Sequence, residues 1–514
     1  MRIFLLLILP FLLFAKPFKV ATYNVENLFD ASYSGTEYEE YTQKHNWTER
    51  IVDIKLNHTA EVICDLDADI LGVQEIENES ILRALQKKLD EVGCGYAHLA
   101  ITHKKGASVQ IGVLSRFPIK SAKEIEVSKA SGVRNTLDAV VEVQNYPIHI
   151  FVNHWKSRSR EGWESKRIVY AKALQKHLQA LPQGVEYILL GDFNTDYDAA
   201  WYLEKRINDT QGATGLHHIL HATEDSSQLF KENGAHYMLW SELNMDARWN
   251  FKFYGKQGTP DHILLPRTMV DGRGIDYIDG TFGVFRRPYL FTERGYINSW
   301  EYKEGKHRGR GYSDHLPLYA YFDTKPYQHS KAVNILSQRE VQPIEYLYTV
   351  EQLSHEVLLK DAVVIWKQGR NALIKQSVNG RGIFLYGCAD GLEEEREYDL
   401  LVRGIKSYHG LKEITHAYSL KEKAYTDNSK YFLTQTDLSN PIAKRQNEIF
   451  KSLTGVYKDG YFYASGRKIP IHFKKRKQTP PNGAKLKIAY AHLGYYKNLQ
   501  LVVYSPNDFT VLEK

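Results

Sequence analysis

Four short apolar runs in the first 200 residues stop abruptly on polar clusters: Asn24-Val25-Glu26-Asn27, Gln74-Glu75-Ile76-Glu77, Asn153-His154-Trp155-Lys156 and Gly191-Asp192-Phe193-Asn194. A fifth cluster, Ser313-Asp314-His315, opens the apolar run 316–322. Neighbours on a strand point to opposite faces, so Asp314 and His315 belong at a strand's mouth, in a loop from which both reach one site. An Asp-His pair alone is a common match, and a surface loop explains it as well. Five junctions together read as strands delivering carboxylates, amides and imidazoles to one rim.

The intervening sequence alternates in period. Residues 18–23, 69–73, 108–114 and 187–190 read as strands, and 137–143 with 148–152 as a strand pair turning at Asn145-Tyr146-Pro147. Residues 47–66, 80–92 (capped by Ser80) and 165–181 read as helices. This alternation fits a layered α/β domain.

The order Tyr-Asn-Val-Glu-Asn, Gln-Glu, Asn-His, Gly-Asp-Phe-Asn, Asp-His-Ile-Leu, Ser-Asp-His resembles the endonuclease/exonuclease/phosphatase superfamily, over about residues 18–324. Its best-known branches are deoxyribonuclease I, the abasic-site endonucleases and the bacterial sphingomyelinases. The resemblance implies a four-layer α/β sandwich, deoxyribonuclease I-like, of two packed sheets with outer helices. It also places Asn24, Glu26 and Asp314 around a metal and makes Asp261 the orienting partner of His315. Asp192 and Asn194 become the pair that positions water and phosphoryl group, and His154 a second family histidine. The sequence departs from the pattern at His262, where many members carry an aromatic residue, typically tyrosine.

The residues themselves support phosphodiester chemistry, which requires charge neutralisation on the phosphoryl oxygens, an aimed water and a stabilised leaving group. Glu75 is the first choice of metal ligand. A carboxylate at a strand mouth with no soft cysteine nearby favours a hard, oxygen-bound cation, Mg²⁺ first, with Mn²⁺ or Ca²⁺ as substitutes. His315 can exchange a proton near neutrality, and either it or Asp192 takes the water's proton. Arg134, Lys156 and Arg158 are candidates for substrate phosphate.

Residues 1–15 read as a secretory signal, too short to span a bilayer, which implies an exported, periplasmic or secreted protein. Of three cysteines at least one is unpaired, and Cys64 reads as a small buried apolar residue, with stability from packing and not from disulfides. Residues 325–343 read as a linker. Beyond it, short strand-like runs separated by Gly and Asn-Gly turns read as two small all-β modules, 344–425 and 445–514, whose outline resembles the oligonucleotide-binding (OB) barrel. Residues 401–411 and 486–494 echo each other, each as one late strand of such a barrel.

Residues 325–514 hold 29 Lys and Arg against 19 Asp and Glu, so the acidic excess lies in the preceding part. The densest basic run, Lys474-Lys475-Arg476-Lys477, sits near aromatics and suits phosphate contact plus base stacking, or simply a solvated surface. The expectation is an exported metal-dependent endonuclease with DNA or RNA as its partner. Two alternatives stand beside it. One is a sphingomyelinase-like lipid phosphodiesterase, in which Trp240, Trp249, Phe251, Phe253 and Tyr254 form a membrane-facing loop; packing of these aromatics on the sandwich is the favoured reading of them. The other is a binding protein with an inactive hydrolase, against which the completeness of the motif set argues.

Overall fold

The structure is a computed structural model that describes residues 16–159, 161–201, 203–253, 256–325, 340–475 and 479–513. The signal reading at 1–15, most of the linker at 325–343, and Arg476 and Lys477 lie outside the described residues. The chain divides into two compact units, 1–337 and 338–514.

The first unit begins with β1 (Phe18–Leu28), α1 (Glu49–Leu66), β2 (Ile70–Ile76), α2 (Glu79–Glu91), β3 (His98–Ile101), β4 (Gln110–Ser115), β5 (Ile119–Ile125) and β6 (Thr136–Val143). It continues through β7 (Tyr146–His154), α3 (Glu164–Gln179), β8 (Tyr187–Asp192), β9 (Ala222–Thr223) and β10 (His236–Met238). The hairpin β11 (Phe251–Phe253) and β12 (Lys256–Gly258) precedes β13 (Asp261–Leu265), β14 (Asp276–Tyr277), β15 (Gly283–Val284), the ribbon β16 (Tyr302–Lys303) and β17 (Lys306–His307), and β18 (Leu318–Asp323). One sheet runs β14-β18-β1-β2-β4-β3, with β15 also on β18, and the other β5-β6-β7-β8-β13-β10-β9.

Alternation along the strands makes the layers. Val20 and Ile70 face the second sheet and share a buried cluster with Leu137, Val152 and Leu190. Ala21 and Leu71, one residue on, face outward against Ile63 of α1 and Leu82 and Leu85 of α2. Tyr170, Ala171 and Leu174 of α3 close the far side of the second sheet. The result is the expected four-layer α/β sandwich. Gly72 lets the sheets approach: a Cβ there would lie 2.3 Å from Leu190 Cδ1.

Local chemistry corrects three expectations. Asn78, not Ser80, caps α2, accepting the Ile81 N–H at 3.0 Å. The β6–β7 turn is Gln144-Asn145, both at positive φ, and Tyr146 and Pro147 already belong to β7. Cys64 is not a lone buried apolar residue: it is bonded to Cys94, with Cα atoms 5.4 Å apart. The bond ties the last turns of α1 to the segment after α2, where the sequence showed only an odd cysteine count.

The second unit carries β19 (Glu340–Val341), α4 (Ile344–Leu347), β20 (Val357–Gln368), β21 (Asn371–Lys375), β22 (Gly382–Leu385), β23 (Arg396–Tyr408) and β24 (Leu411–Tyr425). It then repeats with β25 (Glu448–Lys458), β26 (Tyr461–Ala464), β27 (Arg467–Phe473), β28 (Lys485–Tyr496), β29 (Asn498–Val503) and β30 (Phe509–Glu513). Strands β20-β21-β22-β24-β23 close back on β20, and β25-β26-β27-β29-β28 close back on β25. In both, the third and fifth strands pair parallel. These are two five-stranded barrels of identical strand order, the OB-like outline expected. The echoing segments 401–411 and 486–494 fall largely on β23 and β28, the fourth strand of each.

Candidate active site

The polar clusters meet at one end of the two sheets. β1 and β2 are parallel neighbours with Asn24 opposite Gln74. In the other sheet His154 pairs with Asp192, and Asp192 with Asp261. Strand irregularity re-aims the side chains. The β1–β2 register shifts between Asn24 and Leu28, and β2–β4 shifts at Gln74/Ile76. Glu26, Asn27, Glu75 and Asn194 all take positive φ, a cost that bulged, functional strand ends commonly carry. Gly191, at φ 124°, lets β8 pass Asn153: a Cβ there would lie 2.1 Å from the Asn153 carbonyl.

Asn24 is the hub. Its Nδ2 donates to Glu75 Oε1 at 3.1 Å and to Asp192 Oδ2 at 3.2 Å, which links the two sheets. Its Oδ1 accepts the Glu26 N–H at 3.0 Å. The other Glu75 oxygen accepts the Asn27 N–H at 2.9 Å, and Asp192 Oδ1 accepts the Asn194 N–H at 2.8 Å. His154 Nε2 stands 3.6 Å from Glu75 and 3.7 Å from Asp192. Burial, then the positive Arg134 and His315, hold His154 well below its ordinary value, so it is neutral, and its buried Nδ1 has no hydrogen-bond partner. Burial and then Asp314 raise Glu75, and burial and then Asp261 push Asp192 up to about 7.

His315 Nδ1 lies 2.5 Å from Asp261 Oδ2. Burial alone would lower the imidazole, but Asp261, Asp314 and Asp192 outweigh it and raise it well above the ordinary value. His315 is therefore an imidazolium, with Nε2 3.9 Å from Asp314 Oδ1. Ser313 fixes the loop, donating to the Asn24 carbonyl at 2.7 Å and accepting the His315 N–H at 3.1 Å. His262 points away, with Nε2 2.7 Å from the Thr195 carbonyl, so the unusual residue beside Asp261 leaves the Asp261–His315 pair intact.

Glu26 turns inward: its Oε2 accepts the N–H groups of Trp300 and Asp314, both at 3.0 Å. Burial and Asp314 push it up to about 8. Glu75 and Asp314 are the expected metal-site carboxylates left at the rim. Among the described residues no group of three or more His, Cys, Asp or Glu is arranged to hold a metal ion.

The three expected phosphate contacts separate. Arg134 donates to the carbonyls of His154 and Trp155 at 3.0 and 2.6 Å, beside the site. Lys156 is half-buried, lowered by burial and then by Arg134. Arg158 is instead paired with Asp196 at 2.5 Å, and Asp196 also accepts the Thr259 N–H at 2.7 Å. Its guanidinium is engaged in bracing the approach to Asp261. Lys474 and Lys475, in the second unit, are exposed.

The profile described as "Endonuclease/Exonuclease/phosphatase family" matches residues 19–324. The chain belongs to this family. Solved structures to which the chain is similar include an endonuclease/exonuclease/phosphatase family protein from Bacteroides thetaiotaomicron (15% identity, 60% of this chain and 99% of that one, TM-score 0.38). Others are an AP endonuclease from Archaeoglobus fulgidus (15%, 59% and 98%, TM-score 0.38) and a humanized D. rerio TDP2 (14%, 60% and 99%, TM-score 0.37). No curated protein matches the sequence.

Two residues of this family member's site, Asn250 and Lys55, had no place among the expected site residues, and Phe251 was expected only as a membrane-facing aromatic. Asn250 Nδ2 donates to Asp261 Oδ2 at 2.6 Å and to the Leu316 carbonyl at 3.1 Å. Phe251 packs its ring 4.9 Å from that of His315. Lys55 of α1, fully buried, donates to the Tyr312 carbonyl at 2.8 Å; burial pushes it down to about 8 against the pull of Glu26 and Asp314. Lys55 alone carried a signal: it falls on the apolar stripe of its helix, with Val52, Leu56 and Thr59. Of the aromatics considered for membrane contact, Trp240 is buried and donates to the Asp261 carbonyl, Phe253 is exposed, and Tyr254 lies outside the described residues.

Proposed function

We propose that this hydrolase is an exported, Mg²⁺-dependent endonuclease acting on DNA or RNA. The observation that carries the reading is the junction of both sheets at Asn24: Glu75 and Asp192 on one amide, with the Asp261–His315 pair beside them. Glu75 and Asp314 offer carboxylate oxygens only, and burial and then Asp314 raise Glu75. Such a donor set fits a hard cation, which takes one or two carboxylates and completes its shell with water and phosphate. When bound, Mg²⁺ would neutralise charge on the phosphoryl oxygens. Asn24 and Glu26, expected among the ligands, support the site from behind: one orients Glu75 and Asp192, the other holds the backbone of Asp314.

The chain's own residues then divide the work. His315 is held by Asp261 through Nδ1 and presents Nε2–H to a phosphoryl oxygen. Asp192, oriented by Asn24 and the Asn194 N–H, accepts the attacking water's proton. His154, neutral between Glu75 and Asp192, hydrogen-bonds the substrate, and Arg134 and Lys156 supply positive charge to the phosphate.

Export rests on the signal-like residues 1–15 and on the Cys64–Cys94 bond, a type that persists in oxidising compartments. The test is one assay with plasmid, RNA and sphingomyelin, each with and without EDTA. EDTA-sensitive cleavage of a nucleic acid is expected; hydrolysis of sphingomyelin alone, or of nothing, would overturn the reading.

A further inference from the structure

In the second unit, the turn joining β23 to β24 meets the turn joining β28 to β29. The Lys497 N–H donates to the His409 carbonyl at 3.3 Å. The His409 ring lies 4.5 Å from Tyr408 and 4.7 Å from Tyr496. Gly410 permits this approach: it sits at φ 95°, and a Cβ would lie 2.4 Å from the Tyr495 ring. Lys406 extends the row, its Nζ 5.5 Å from the Tyr408 centroid and 4.7 Å from that of Tyr386. Glu413 holds the same ammonium at 3.1 Å. Tyr386, Tyr408 and Tyr496 are 52%, 54% and 47% exposed. Single exposed rings need no explanation, but three joined through a lysine and a histidine across two barrels form a built surface.

We propose that this row is a stacking site for single-stranded nucleic acid, made jointly by the equivalent turns of the two barrels. Tyrosine faces accept any base, while the Lys406 and Lys497 ammonium groups meet the backbone phosphates between them. The basic excess of residues 325–514 favours a polyanion over a neutral glycan. The proposal rests on the reading of the protein as a nuclease, and it assigns substrate contact to residues outside the Lys474–Lys477 run.

The full-length protein is tested in EDTA, so that binding is read without cleavage. Fluorescence anisotropy is measured with a labelled oligothymidylate and with an abasic chain of equal length. Tyr408→Ala and Tyr496→Ala should each weaken oligothymidylate binding by at least about fivefold, since stacking on one ring contributes that much or more. Tyr408→Phe and Tyr496→Phe should bind as the wild type does, and the abasic chain should not distinguish any of the five proteins. Unchanged oligothymidylate binding in the alanine variants overturns the site. So does an equal loss on the abasic chain, or binding to heparin alone. Hydrolysis of bis(p-nitrophenyl) phosphate by the wild type with Mg²⁺ reads the active site separately. Ring-dependent binding without that hydrolysis leaves the stacking site standing and removes the nuclease reading.

Discussion

His315 and Asp261, separated by 54 residues, are joined by a 2.5 Å contact between Nδ1 and Oδ2, and Asn250 donates to the same oxygen at 2.6 Å. The second Asp261 oxygen is buried without a hydrogen-bond partner, so the carboxylate's contacts converge on one oxygen. This arrangement fixes the imidazole ring and directs Nε2 outward. It makes orientation, and not only charge, part of what Asp261 supplies.

His315→Ala should therefore lower kcat by about 10²–10³-fold, the range that one hydrogen-bond donor aimed at transition-state charge supplies. Substrate should still bind, because the lost interaction belongs to the transition state. Asp261→Asn should be milder, since it keeps the ring while disturbing its tautomer. Steady-state kinetics on the purified, folded variants decides; near-normal kcat in His315→Ala sinks the assigned role.

Glu75→Gln preserves shape and removes charge. The Mg²⁺ concentration giving half-maximal activity should rise, and excess Mg²⁺ should recover part of the loss. The same substitution keeps one of the two oxygens that accept from Asn24 Nδ2 and the Asn27 N–H, so its Tm is measured alongside. An unchanged Mg²⁺ midpoint would remove Glu75 from the ligand set.

The parts of the site legible in the sequence were those delivered by strand ends. Asn24, Glu75, His154 and Asp192 follow apolar runs whose alternation fixes where each strand stops, and Asp314-His315 precede one. Asn250 was not legible because it lies in a loop, with its partners at Asp261 and Leu316, and no periodicity marks such a position. The pairing of Arg158 was hidden for a related reason: Asp196, its partner, lies 38 residues further along the chain. Barrel closure entered only through the resemblance to the OB outline, since the closing pairs β20–β23 and β25–β28 join strands tens of residues apart. Strand β5 escaped because an edge strand with Lys120, Lys123 and Glu124 toward solvent shows no apolar alternation.

The two barrels are joined by a fully buried ion pair, Lys375 Nζ to Glu448 Oε2 at 2.7 Å. Lys375→Met should destabilise the protein by about 3–5 kcal/mol, because it leaves Glu448 buried with only Arg445 as counter-charge. The double variant Lys375→Met/Glu448→Leu should recover much of the loss, since an apolar pair has no charge to desolvate. Urea midpoints of the three proteins test this. Equal destabilisation in the single and double variants would show that shape, not charge, governs the contact.

His492 gives the second unit a definite pH response. It is buried, with Tyr504 Oη 2.9 Å from Nδ1 and Asn447 Oδ1 3.0 Å from Nε2. In the neutral ring Nε2–H donates to the asparagine oxygen and Nδ1 accepts the tyrosine hydroxyl. Burial, then the positive Lys474, lowers His492 from 6.5 to about 3. Between those values the unfolded chain binds a proton that the folded chain refuses. Stability is therefore highest above the unfolded value and falls as pH drops from about 6.5 toward 3, by up to about 1.4 kcal/mol per unit from this group. His492→Gln has no proton to take up and retains polar contacts, so its urea midpoint should fall less between pH 7 and pH 5 than the wild type's. Parallel pH profiles for the two proteins would exclude His492 as a source of acid sensitivity.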